Sequence, residues 1–257
     1  MSWLLLFAVG LAVGSFLNVL IDRLPQGQDV IRFPSHCDYC KKPLRWFELI
    51  PLVSYLLQRG RCLRCHRRLS LQYPLIELAT ATTFFLIAQA YYHSNIFTAE
   101  NILNLSLQLI IASSFLVIFV ADLKYQIIPD SMLLISFFAI LAQHLLPFTY
   151  FAFLIFLTSG LTAGLFFYLL WWFTKGKGMG FGDVKLAFVL GWFLGYPGII
   201  IAFYAAFLTG ALVSVILILA GLKQLKSKIA LGPFLIWGTL VAVFWGQAIL
   251  NWWQKFS

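Results

Sequence analysis

Acidic residues are scarce in this sequence: nine Asp and Glu in 257 residues, against eighteen Lys and Arg. Beyond Glu100 the last 157 residues hold three carboxylates, Asp122, Asp130 and Asp183. Charged residues make up 11% of the chain, whereas soluble globular domains carry about 25%, so a soluble domain is excluded. Cysteine is absent outside one short stretch, which excludes a disulfide scaffold running through the chain. The first apolar run lacks the basic leader and small-residue cleavage site of a signal peptide, and is expected to persist as a helix. No internal repeat is visible, and no Gly-x-Gly-x-x-Gly follows a strand pattern.

What fills the chain is apolar: 61% of residues are hydrophobic and the mean hydropathy is +0.90. A membrane span needs about 20 apolar residues. Eight runs qualify or come near: 3–21, 74–92, 102–121, 131–148, 151–173, 184–196, 198–221 and 232–252, the sixth being short enough to be re-entrant. The expected fold is an all-α polytopic membrane protein of about eight transmembrane helices. Ten cations fall in residues 22–73, and Lys124, Lys175, Lys177, Lys185, Lys223, Lys226 and Lys228 fall in connections that eight crossings put on the same face. Because Lys and Arg collect in cytoplasmic loops, that face is the cytoplasm and both termini lie outside. This bias accounts for the net charge of +9 without nucleic acid as a partner. The expected division is residues 1–21 as the first span, 22–73 as a polar cytoplasmic lobe, and 74–257 as a helical bundle in the lipid bilayer.

The four cysteines form two Cys-x-x-Cys pairs in that lobe, Cys37 with Cys40 and Cys62 with Cys65, separated by 21 residues. Such pairs bring four thiolates into the tetrahedron of a structural zinc site. A separation slightly beyond the usual 15–20 costs little, since loop closure grows logarithmically with length. A lobe of 52 residues has little core of its own, and a zinc-ribbon-like site gives it a reason to fold. Disulfides and a thioredoxin-like redox pair are the competing readings. Cytoplasmic placement disfavours the first, and the absence of a βαβ pattern the second. His36 and His66 abut the cysteines and are candidate replacement ligands; as basic surface residues they need no such role.

Asp122 closes the run LVIFVAD and Asp183 opens the next one after the turn MGFGD. A carboxylate at membrane depth costs about 2.5–3.5 kcal/mol on insertion scales, so a pair kept there invites a chemical reason. Although far apart in sequence, both reach the cytoplasmic face in an eight-span topology. Two carboxyl groups sharing a proton can activate water and polarise a peptide carbonyl, as in an aspartic peptidase. The duller reading of Asp183 is a helix first-turn residue, where an anion is favoured. Asp122 lies at a helix C-terminus, where the dipole offers no such excuse. Asp130, between Pro129 and Ser131, reads as a helix cap, and Glu77 as an acid of a first helical turn. Gly180 and Gly182 would let a substrate peptide approach the backbone beside Asp183.

These segments together resemble the type IV prepilin peptidases, bifunctional leader peptidases and N-methyltransferases of the GxGD type in the bacterial inner membrane. The resemblance runs through GSFLNVLIDRLP (14–25), both cysteine pairs, WFELIPLVSYLLQRGRC (46–62), YPLIELAT (73–80), ADLKYQIIPD (121–130), GMGFGDVKL (178–186) and LGPFLIWG (231–238). It implies that Asp122 and Asp183 are the catalytic aspartates. It further implies that prepilins or pseudopilins with short basic leaders are the substrates. S-adenosylmethionine would then methylate the new N-terminal residue, in association with the lobe. Phe181 stands where many relatives have glycine, and Tyr55 where tryptophan is common. No residue of this sequence can be named for the methyl-donor site. The competing functions are an ion-coupled transporter using the intramembrane aspartates, disfavoured because carriers place their sites near the midplane, and a non-catalytic zinc-bearing assembly scaffold.

Overall fold

A computed structural model describes residues 2–30, 32, 34–37, 39–91, 99–146, 150–176, 178–221 and 230–255. Lys177 and the lysines at 223, 226 and 228, used above to orient the chain, lie outside the described residues, as does Asp38. Among the described residues nine α-helices follow in order: α1 (Ser2–Arg23), α2 (Val53–Leu57), α3 (Gln72–Tyr91), α4 (Ala99–Tyr125), α5 (Asp130–Leu145), α6 (Tyr150–Phe173), α7 (Phe181–Leu194), α8 (Gly198–Leu219) and α9 (Gly232–Gln254). Over most of their described residues the eight apolar runs are helical, and the additional helix, α2, is a short turn inside the lobe. Among the described residues there is no strand, only isolated bridges between His36 and Pro43 and between Arg61 and Arg68.

The bilayer explains this uniformity, because hydrocarbon offers no partner to a free backbone amide or carbonyl and a helix satisfies both internally. Five segments are long and apolar enough to cross: Leu4–Gln26, Ala99–Tyr125, Tyr150–Phe173, Gly198–Leu219 and Gly232–Gln254. The chain is a multi-pass α-helical membrane protein. α7, with 14 residues, is only about 21 Å long at 1.5 Å per residue, short of the ~30 Å hydrocarbon core. Further crossings beyond the five rest on α3, α5 and α7.

Internal contacts divide the chain into Met1–Val117 and Ile118–Ser257. In the first unit α1 packs along α3; in the second α6 packs along α7, α8 along α9, and α7 also touches α5, α8 and α9. Lipid gives no hydrophobic drive for such pairs, so close backbone approach at small residues holds them. A Cβ on Gly10 or Gly14 of α1 would lie 2.6 Å from Ala81 Cα or 2.7 Å from Glu77 Cα on α3. On α7, a Cβ at Gly191 would lie 2.7 Å from the Ser159 carbonyl oxygen of α6. The α1/α3 pair is also pinned by Asn18, whose amide donates to the carbonyls of Gly14 and Tyr73 at 3.2 Å each. Leu186, Ala187 and Leu190 are fully enclosed, so α7 is a central element of its unit and its first turn is held by what surrounds it.

The tightest of these contacts is on α9, where a Cβ at Gly238 would sit 2.1 Å from the Ala202 carbonyl oxygen of α8. Gly238→Val is expected to force α8 and α9 apart and to lower the thermal unfolding temperature in detergent, at an overpacking cost of about 1–3 kcal/mol or more. Gly246→Ala on the same helix, whose Cβ would meet only Ile201 Cδ1 at 3.9 Å, should leave that temperature unchanged.

Candidate functional site

Asp122 and Asp183 lie in the same unit, buried at 5% and 7% exposure. α4 ends at Tyr125, so Asp122 is in its last turn, and the Asp122 carbonyl accepts the Gln126 amide to close the helix. Its carboxylate does not rely on α4. The Gly232 amide, at the first residue of α9, donates to Asp122 Oδ2 at 3.0 Å. An N-terminal amide of one helix, with its partial positive charge, thus meets a carboxylate at the C-terminal end of another. Asp183 is in the first turn of α7. The Gly180 amide donates to Asp183 Oδ2 at 3.0 Å, and the Asp183 amide donates back to the Gly180 carbonyl at 3.2 Å.

The two carboxyl groups are linked through the residues that flank them. Ile128, in the segment between α4 and α5, fills the space beside both. Its Cβ lies 3.2 Å from where a Gly182 side chain would begin, and its Cδ1 3.5 Å from the corresponding point on Gly232. Gly182 is therefore a glycine because Ile128 packs on its Cα. Gly180, at φ −78°, is under no left-handed constraint, and a Cβ there would be 3.6 Å from Asp183 Oδ2, an ordinary contact. Gly232 is the residue that sequence reasoning left out of the site. A Cβ there would fall 2.6 Å from Asp122 Oδ2, so glycine is what lets the amide reach the carboxylate. The available signal was a glycine-proline pair opening an apolar run.

Asp130 is the first residue of α5, but it makes no side-chain cap. Its Oδ1 instead pairs with Lys185 Nζ of α7 at 2.7 Å, because the first turns of α5 and α7 come together. Lys185 also lies over the Phe181 ring, 5.7 Å from its centroid.

In the other unit the four cysteine sulfurs all lie within 4.8 Å of one another, with Cys37 and Cys65 Sγ 3.8 Å apart. Zinc bonded to four thiolates at 2.3 Å would demand edges of about 3.8 Å, so the donor set and its spacing fit a tetrahedral metal ion. The two pairs are built as twin turns. The Cys37 amide donates to the Lys42 carbonyl and Lys41 donates to Cys37; Cys62 donates to Arg67 and His66 to Cys62. Lys41 and His66, four residues after the leading cysteine of each pair, are left-handed at φ 56° and 55°. Burial pushes the Cys37 thiol up to about 11, while backbone amides of Cys65 and Arg64 pull Cys62 down to about 7. Among the described residues neither His36 nor His66 belongs to this ligand group.

Glu77 proves to be more than a first-turn acid. α3 begins at Gln72, which places Glu77 beyond its first turn, and the side chain is buried. Its Oε2 accepts the Leu52 amide of the lobe at 2.7 Å, and the Ser15 side chain is a further partner. Leu52 stands at φ 57° and ψ −48°, with Val53 N–H bonded to the Pro51 carbonyl at 2.6 Å: a strained γ-turn held in place by the carboxylate. Glu77→Ala should leave that amide without its acceptor and cost about 1–3 kcal/mol, read as a lower unfolding temperature in detergent. Glu77→Gln, which keeps an acceptor oxygen, should stay close to the parent.

Comparison with known proteins places both units. Residues 8–91 match the Bacterial Peptidase A24 N-terminal domain, and residues 109–215 match the Type IV leader peptidase family. A prepilin leader peptidase/N-methyltransferase of Bacillus subtilis is 30% identical over 98% of this chain and 98% of its own length. The proteins of that name from Legionella pneumophila and Aeromonas hydrophila are 31% and 32% identical, over 97% and 98% of this chain and 94% of their own lengths. No solved structure matches significantly. With both domains present in order and relatives aligned along nearly its whole length, the chain belongs to the type IV leader peptidase family.

Proposed function

We propose that this protein cleaves the basic leader from type IV prepilins or pseudopilins at the cytoplasmic face of the bacterial inner membrane, and methylates the N-terminal residue that cleavage exposes. The observation that carries the reading is the burial of Asp122 and Asp183 in one unit, each with an Oδ2 engaged by a backbone amide and with Ile128 packed beside both Gly182 and Gly232. The relatives' names, prepilin leader peptidase/N-methyltransferase, supply the substrate class and the second reaction. On this reading residues 22–73 are the methyltransferase-associated lobe and 74–257 the peptidase bundle. Eight crossings put lobe and aspartates on the cytoplasmic side with both termini outside, in keeping with the distribution of Lys and Arg.

With the Oδ2 atoms held, the remaining oxygens would act on water and substrate. One carboxylate takes a proton from water as it attacks the scissile carbonyl, and the other, protonated, donates to the carbonyl oxygen. The gem-diol then collapses with proton transfer to the leaving amine, without a covalent enzyme intermediate. Gly180, without a side chain of its own, leaves room beside Asp183 for an extended peptide to approach. The methyl donor would be S-adenosylmethionine, and in a chain whose described residues include no strand its site would not be of the Rossmann type. Zinc would be held by Cys37, Cys40, Cys62 and Cys65 as a structural ion, joining the two turns of the lobe.

In vesicles reconstituted with a prepilin peptide and labelled S-adenosylmethionine, Asp122→Asn and Asp183→Asn should each lose cleavage by several orders of magnitude while remaining inserted. Gly232→Ala should lose most of it by displacing the Asp122 carboxylate. Normal cleavage by both asparagine variants, followed by mass spectrometry, would refute the assignment. Zinc should be present at one ion per chain by elemental analysis. Cys62→Ser, or a strong chelator, should remove it and make the lobe sensitive to protease while cleavage by the bundle outlasts methyl transfer.

A further inference from the structure

The lobe carries a surface that its metal site and its fold leave unexplained. Between Trp46 and Leu57, a short helical turn and α2 present Trp46, Phe47, Leu49, Val53, Leu56 and Leu57 outward, with Trp46, Leu56 and Leu57 at 79%, 72% and 80% exposure. Scattered apolar residues on a water-facing surface are ordinary, but so many large ones within one short turn-and-helix segment mark an interaction site. Charge brackets the segment. Arg45 precedes it and lies over the Phe47 ring at 6.0 Å from its centroid, and Arg59, Arg61 and Arg64 follow it. Immediately after Leu57 a cavity of about 300 Å³ is lined by Gln58, Arg59, Arg61, Cys62, Leu63 and His66, so two arginines face a pocket that is continuous in sequence with an apolar face and backed by one of the four cysteines.

The attachment of the segment says what covers it. Leu52, at its middle, is bound by Glu77 of α3, five residues beyond the start of a helix that pairs with the membrane-spanning α1. The lobe leaves α1 at Arg23 and returns at Gln72, and the Asn18 bonds bring those two ends together. Glu77 packs against Gly14 of α1, within the candidate span Leu4–Gln26, so residues 46–57 are tethered alongside a membrane-crossing helix. Aromatic and aliphatic side chains with flanking arginines in that position have the composition of an element lying in the membrane interface. The basic pocket suits the phosphate of an anionic headgroup.

We propose that residues 46–57 form an interfacial apron seated in the inner leaflet, with an anionic phospholipid headgroup held between Arg59, Arg61 and His66. The four-cysteine lobe then lies against the bilayer and does not project from it, and its knuckles are presented at the depth where a membrane-anchored substrate has its N-terminus. The assignment of the apron stands apart from the peptidase reading, because it concerns lipid contact and not cleavage.

The test uses the full chain with a benzophenone amino acid placed singly at Trp46, Leu57 or, as a lipid-facing reference, the 62%-exposed Leu212 of α8. Each variant is reconstituted into vesicles of phosphatidylcholine alone or an equal mixture with phosphatidylglycerol, irradiated, and read by mass spectrometry. Lipid adducts at 46 and 57 in yields comparable to 212 are expected, with a several-fold rise at 57 when phosphatidylglycerol is present. Arg59→Gln together with Arg61→Gln should abolish that rise without changing the yield in phosphatidylcholine. Adducts to protein alone, or none, at 46 and 57 while 212 labels lipid would overturn the apron. Equal yields with and without phosphatidylglycerol would overturn the headgroup pocket. Prepilin cleavage measured on the same vesicles reports separately on the aspartates.

Discussion

A buried carboxylate bound by the free amide at the start of a helix is the interaction on which the second unit turns. Two acidic groups with no cation bonded to either among the described contacts must be satisfied where water is scarce. Asp183 uses the turn that opens its own helix, so its partner is local and survives wherever that turn forms. Asp122 has to borrow its donor from α9, 110 residues away. The borrowed bond makes the position of α9 part of the site. It depends on the absence of a side chain at Gly232, and on Gly238 one helical stretch later, whose contact with Ala202 fixes how far α9 has slid along α8.

The elements of the fold were legible in the sequence to the extent that the bilayer dictates them. The eight apolar runs fall on helices over most of their described residues because length and hydropathy leave no other way to satisfy a backbone in lipid. The cysteine pairs were readable for a similar reason, since two Cys-x-x-Cys turns have few geometries and a tetrahedron of sulfurs is the natural one. Asp122 and Asp183 stood out because acids are rare beyond residue 100. What could not be read were partners set by long-range packing. Glu77 looks like a first-turn acid until the true start of α3 is known and Leu52 is found against it. Asp130 looks like a cap until Lys185 arrives from another helix. The length of α7 was visible, but the number of crossings depends on more than length.

The same contrast separates the two ways this chain holds an irregular backbone. In the lobe, Leu52 is kept in a strained γ-turn by a carboxylate rooted in a membrane helix, while Lys41 and His66 take left-handed conformations demanded by their cysteine turns. A segment of 52 residues with this many unfavourable dihedral angles and few buried apolar side chains is poorly supported by its own core. A metal held by the four cysteines would be one support, and the Glu77 bond is another. They act at different points, one joining the two knuckles and the other fastening the intervening segment to α3, so loss of either should loosen a different part of the lobe.

Placing both aspartates at helix ends also bears on how a peptide bond would reach them. A substrate segment in helical form hides its carbonyls in its own hydrogen bonds and must open before hydrolysis. The last turn of α4 and the first turn of α7 carry backbone groups with no partner inside their own helices, although in the turn before α7 the Gly180 amide and carbonyl are already bonded to Asp183. An extended peptide can exchange its lost internal bonds for these. Deeper in the bundle every amide and carbonyl is committed to its helix, and an unwound substrate would have nothing to pair with. The termini are therefore the one depth at which two carboxylates and an opened peptide can be satisfied together. That constraint, more than any preference for sequence, would confine cleavage to the membrane boundary.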